Sequence, residues 1–124
     1  MVPLEHDAEF GAPAGQRHRS SAPGERGGEG FRFYNEACVY CHGAPGKDPT
    51  DIGKGLNPEP PYLPDVVARW SGGELFWIAK NGIRMTGMPA FGSTHKDEEI
   101  WKVVAFIQRL PTVTEEDYAK MEHP

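Results

Sequence analysis

The chain contains two cysteines, Cys38 and Cys41, and a histidine directly follows the second: Cys38-Val39-Tyr40-Cys41-His42. Nothing else in the sequence constrains the fold as tightly. On a helix, one turn separates the two thiols, so both lie on one face with His42 just beyond. The pattern C-x-x-C-H is the attachment signature of a c-type haem. Two thiols one turn apart match the two vinyl groups on one edge of a porphyrin. The residue after the second cysteine then lies beneath the iron, for which imidazole is a good ligand.

On the residues alone, three other uses of the pair stay open. A thioredoxin-like redox couple belongs on a βαβ background, and no period-2 run of useful length occurs. A closed structural zinc site takes four ligands, whereas His6, His18, His95 and His123 show no pairing at ligand spacing. A local disulfide is the third use.

Composition leaves two possibilities: part of the chain does not fold, or something other than side chains fills its middle. Of 124 residues, 27 are Gly or Pro and only 38% are apolar, and mean hydropathy is −0.57. A short chain this lean in core formers buries little surface of its own. The shortage is uneven. Nine of the Gly and Pro fall in the first 30 residues, where the strong apolar residues are Met1, Val2, Leu4 and Phe10. Such a segment cannot offset its ordering entropy by burial. Residues 1–28 therefore read as a flexible Gly/Pro-rich extension, and residues 29–124 as one mono-haem domain.

Several classes drop out. No apolar run approaches the ~18 residues of a membrane-crossing helix. The net charge is −5 and no basic patch stands out, so nucleic acid is not an expected partner. The start, MVPLEHDAEFGAPAG, lacks the basic and apolar regions of a secretory signal. Haem attachment of this type takes place outside the cytoplasm, so the chain reads as a mature or trimmed form. Its expected location is periplasmic or otherwise extracytoplasmic, with a possible membrane association only through a partner or a removed anchor.

Helical signals dominate, and the expected class is all-α. A first helix spans about 30–40 and leads into the cysteines. A second starts at Ser71, whose S-x-x-E pairing with Glu74 forms a capping box. It ends near Gly82, which suits a left-handed C-terminal cap. The third, about 96–110, has the apolar stripe Ile100, Val103, Val104 and Ile107, with acids in its first turn and Arg109 in its last. Thr94 is its expected cap, and Pro111 its stop. A short fourth helix over about 115–121 is capped by Thr114. Residues 43–65 read as a long loop, and such loops are usually functional.

A second axial ligand is sought in Gly82-Ile83-Arg84-Met85-Thr86-Gly87-Met88-Pro89. Met88 is the first candidate. Gly87 permits close backbone approach, and Pro89 holds its predecessor extended. Met85 reads as core filling, and His95 is the remaining alternative.

From Gly30 to about Pro111 these residues resemble class I c-type cytochromes, in particular small bacterial periplasmic and oxidase-associated cytochrome c domains. The resemblance rests on C-x-x-C-H and on G-M-P-A-F-G, with Met88 46 residues after His42. It implies three main helices plus a short C-terminal helix around one haem c. Cys38 and Cys41 hold the haem covalently, and His42 and Met88 ligate its iron. It further implies that Gly30 and Tyr34 share a helix face with Cys38, and that Trp101 or a neighbour packs on Gly30. A proline carbonyl orients His42, from Pro60, Pro61 or Pro45. Leu63 packs on the His42 side. Trp70, Tyr62, Arg84 and Lys54 are candidate donors to the haem propionates, and core packing is the other use of Trp70 and Trp77.

The implied function is one-electron transfer between redox proteins in a bacterial respiratory or related chain. The chain would act free or as a haem subunit of a dehydrogenase or oxidase, and not as an enzyme itself. Haem-based binding or sensing of a gas or peroxide, through a labile Met88, is the alternative. If the ring supplies the missing core, the haem-free chain is poorly folded. Far-UV circular dichroism should show little helix until haem is attached, and a denaturing gel stained for haem should show the ring staying with the chain.

Overall fold

The computed structural model describes residues 28–124. The extension expected over residues 1–28 lies outside the described residues except for Gly28, which opens the first helix. That helix, α1, spans residues 28–42 in three pieces. An α-helical start, Gly28–Phe33, is followed by a π-helical turn, Tyr34–Cys38, and a closing turn, Val39–His42. It starts two residues earlier and ends two residues later than the apolar spacing predicts.

π-turns concentrate at functional positions, and side chains brace this one from both sides. The buried Tyr34 hydroxyl donates to the Gly43 carbonyl at 2.6 Å. The Tyr118 hydroxyl donates to Asn35 Oδ1 at 2.8 Å.

The expected loop over 43–65 holds more structure than its Pro and Gly content suggests. Thr50 caps a short helix, α2 (Asp51–Lys54), by accepting from the Gly53 N–H. A second, α3 (Leu63–Val66), has Pro64 in its first turn and runs into a 3-10 turn, Val67–Arg69. Both are single turns without the periodicity that longer helices display.

Helix α4 (Gly72–Asn81) begins with the Ser71–Glu74 capping box. Helix α5 (Asp97–Arg109) follows, and a 3-10 turn, Leu110–Thr112, carries the chain past Pro111. The start of α5 differs from expectation. Lys96 stands at the cap position, and its N–H donates to the Glu99 carboxylate at 2.8 Å. Thr94 instead bonds the neighbouring His95 ring at 2.9 Å, so it does not cap. Helix α6 (Glu115–Glu122) has its box from Thr114 and Asp117. Among the described residues there is no strand, only a lone bridge between Ala44 and Lys47.

The fold is organised where α1 crosses α5. A Cβ at Gly30 would collide with the Lys102 carbonyl oxygen and lie 3.1 Å from the Phe106 Cβ. Hydrogen in place of a side chain is what lets the backbones meet. Lys102 and Phe106, rather than Trp101, form this contact. Trp101 faces the other way and stacks on Phe76 of α4, with ring centroids 4.3 Å apart. The crossing is sealed by aromatics. Phe31 meets Phe106 edge-on at 5.7 Å and Tyr118 at 5.2 Å. Helix α6 thus closes the far side of this core, and Lys47 pairs with Glu122 to tie it to the loop after α1.

Gly30→Ala should lower the stability of the holoprotein by about 2 kcal/mol through overpacking against backbone. That loss outweighs the roughly 1 kcal/mol by which Ala favours a helix. Thermal unfolding should show it as a Tm lower by several degrees.

Candidate functional site

Between α1, the 56–70 segment, α4 and the 83–91 loop lies one cavity of about 230 Å³. Its lining is nearly all apolar. Leu63, Leu75, Ile78 and Ile107 supply aliphatic surface, and Trp70 and Phe91 supply aromatic surface. Cys38, Cys41, His42 and Met88 all reach it. An open apolar slot with a few polar groups is the usual form of a cofactor site.

α1 delivers the first three of these groups. Its last turn ends at Gly43, whose φ of 71° and ψ of −176° lie in a region essentially closed to other residues. The chain therefore turns away immediately after His42. The ring of His42 is fixed by the Pro61 carbonyl, 2.8 Å from Nδ1. A carbonyl can only accept, so Nδ1 carries the proton. Burial holds the His42 pKa below the ordinary histidine range, against the opposing pull of this bond. The imidazole is thus neutral, with Nε2 bearing the lone pair a metal needs.

The two thiols differ. Cys38 is buried, and its pKa is pushed up to about 12, first by burial and then by the neighbouring Cys41. A dithiol redox couple works through a depressed thiol pKa, so this environment does not suit it. Among the described residues, no group of three or more His, Cys, Asp or Glu side chains gathers to hold a metal ion. The four-ligand zinc alternative has no site there.

The fourth group, Met88, comes from a loop built on Gly82. This glycine, at φ 71° and ψ −175°, sits in the same glycine-only region as Gly43. A Cβ on it would lie 2.8 Å from the Met88 carbonyl oxygen and 2.9 Å from the Pro89 carbonyl carbon. The ends of the loop are joined by Ile83 N–H donating to the Met88 carbonyl at 3.4 Å.

Several other sequence candidates also reach the cavity: Pro60, Pro61, Leu63 and Trp70 line it. Others do not. Tyr62 is outside the lining, and partial burial together with Asp65, Glu115 and Asp48 raises its pKa. Arg84 and Lys54 are exposed and outside the lining, and Pro45 is buried elsewhere. Met85 is not core filling. It is 95% exposed at φ 66°, because it forms the outer tip of the loop. Trp77 is half exposed rather than in the core. His95 lies away from the cavity, packed against Phe33 at 4.5 Å.

The family model for cytochrome c oxidase, cbb3-type, subunit III matches residues 25–107. The chain belongs to this family. It is a c-type cytochrome domain with the all-α cytochrome c fold. No curated protein and no solved structure matches it. The matched segment of this cytochrome ends within α5, so Tyr118 and the rest of α6 lie beyond it.

Some lining residues of the cytochrome carry no sequence signal. Ile78 and Ala79 lie on α4, where an apolar residue facing a cavity reads no differently from one facing the core. Leu56 and Val66 sit in single-turn or irregular segments, where no period reveals which face is inward.

Gly82→Ala should displace the Met88 loop and cost about 2 kcal/mol. A lowered denaturant midpoint, with α-helical circular dichroism retained, would show that the strain is confined to the loop.

Proposed function

We propose that the chain is a one-electron carrier. Its domain, residues 29–124, holds one haem c through Cys38 and Cys41, with His42 and Met88 as axial ligands. The observation that carries this is one apolar cavity lined by all four groups, with the His42 ring held through Nδ1 by the Pro61 carbonyl. The donor set fits the group. Two thiols one turn apart suit covalent attachment, and imidazole and thioether together suit a haem iron.

When bound, the haem supplies a reversible one-electron ferric/ferrous couple. The chain's residues set the conditions for it. His42 and Met88 would hold the metal between them and leave it no position open to a substrate. Pro61 keeps the His42 ring from rotating. The apolar lining keeps water away and disfavours the extra positive charge of the oxidised state. His/Met ligation and this lining both raise the reduction potential.

Its partners are redox proteins, an electron donor and an acceptor, in an extracytoplasmic respiratory or related chain. The protein acts free or as a haem subunit of a larger complex, and the family's name supports an oxidase. Among the described residues no helix is long and apolar enough to cross a membrane, so this domain would reach such a complex from the aqueous side.

The ferric protein should show the weak red sulfur-to-iron absorption band, and a redox titration should give a positive potential. Met88→Ala should abolish the band and lower the potential while covalent haem stays on the chain. A high-spin ferric spectrum of the unmutated protein without that band would overturn the carrier reading in favour of small-ligand binding.

A further inference from the structure

We propose that Thr86 is the positioning residue that keeps Met88 available to the haem iron. This deepens the reading above and rests on Met88 being an axial ligand. One hydroxyl spans the loop from its start to Met88. Thr86 Oγ1 donates its proton to the Ile83 carbonyl at 2.7 Å and accepts the Met88 N–H at 3.1 Å. The Thr86 N–H also approaches the Ile83 carbonyl, at 3.3 Å. Thr86, Ile83 and Met88 all line the cavity.

A hydroxyl has a single proton and two lone pairs. Here the proton is committed to Ile83, away from the ligand residue. The hydroxyl therefore cannot donate to the Met88 sulfur, whose lone pairs stay free for a metal. The acceptor side grips the Met88 backbone and joins it to the start of the loop. Only the last of the three residues between Ile83 and Gly87 contributes in this way. Arg84 is exposed, and Met85 stands at the outer tip in the left-handed region at φ 66°. A strained position of this kind persists only where its surroundings hold it, and the bonds of Thr86 hold it together with the Ile83 N–H to Met88 carbonyl bond. A thioether is a weak, neutral ligand that an external base can replace. Its hold on the metal depends on how little the loop can move when the bond breaks.

The test is imidazole titration of the ferric holoprotein, followed by loss of the sulfur-to-iron band. Thr86→Val keeps the side-chain shape and removes both bonds. It should bind imidazole about tenfold more tightly, whereas Thr86→Ser should stay within about twofold of the unmutated protein because it keeps the hydroxyl. Met85→Asn, a loop variant that leaves both bonds in place, should also match it. A merely structural threonine would lower the denaturant midpoint of Thr86→Val without changing imidazole affinity, and that result would overturn the proposal. Should Thr86→Val fail to fold, Thr86→Ala compared with Thr86→Ser decides in the same way, and equal affinities overturn it. Absence of the band in the unmutated protein would instead defeat the assignment of Met88 itself.

Discussion

The contact between Gly30 of α1 and the Lys102 backbone of α5 sets everything downstream. It brings two helices together at a distance that only a missing side chain allows. Phe31, Phe106 and Tyr118 then close around the crossing. With α1 pinned at its start, its last turn can project only toward the space enclosed by α4 and the later loops. Cys41 and His42 lie in that turn and Cys38 directly before it, so the crossing helps set where the two thiols and the imidazole sit.

The two ends of the site are built on a common physical plan. The His42 and Met88 segments each leave a helix through a glycine in a conformation that side chains resist, Gly43 after His42 and Gly82 before the Met88 loop. Each is then tied down by a hydrogen bond from elsewhere. Pro61 supplies it for His42 across 19 residues of sequence, and Thr86 supplies it for Met88 within the loop. The polar contacts do the orienting, and the apolar lining sets the environment. Burial lowers the His42 pKa and raises that of Cys38, which favours a neutral imidazole at the first and leaves the second a poor source of thiolate.

The residues beyond the family match also matter for the site. Helix α6 supplies Tyr118 to the π-turn through Asn35 and Glu122 to Lys47 in the loop after His42. The closing helix therefore braces the π-turn from outside the cavity, at a sequence separation of 83 residues for the tyrosine bond.

What could be read from the sequence was local. The C-x-x-C-H spacing, the Ser71–Glu74 box, the stripe of α5 and the Gly-Met-Pro triplet all depend on neighbours within a turn or so, and a linear pattern records those. Single turns such as α2 and α3 have too few residues to show a period, so the 43–65 segment read as a bare loop. The resemblance to class I cytochromes implies a proline carbonyl against His42 and leaves Pro45, Pro60 and Pro61 as candidates. Only the folded chain put that of Pro61 in place, because the choice depends on how a 19-residue excursion returns. The exposure of Met85 and the two directions faced by Lys102 and Trp101 are likewise tertiary outcomes. They depend on which side of an element meets another element far along the chain, and no spacing within the element encodes that.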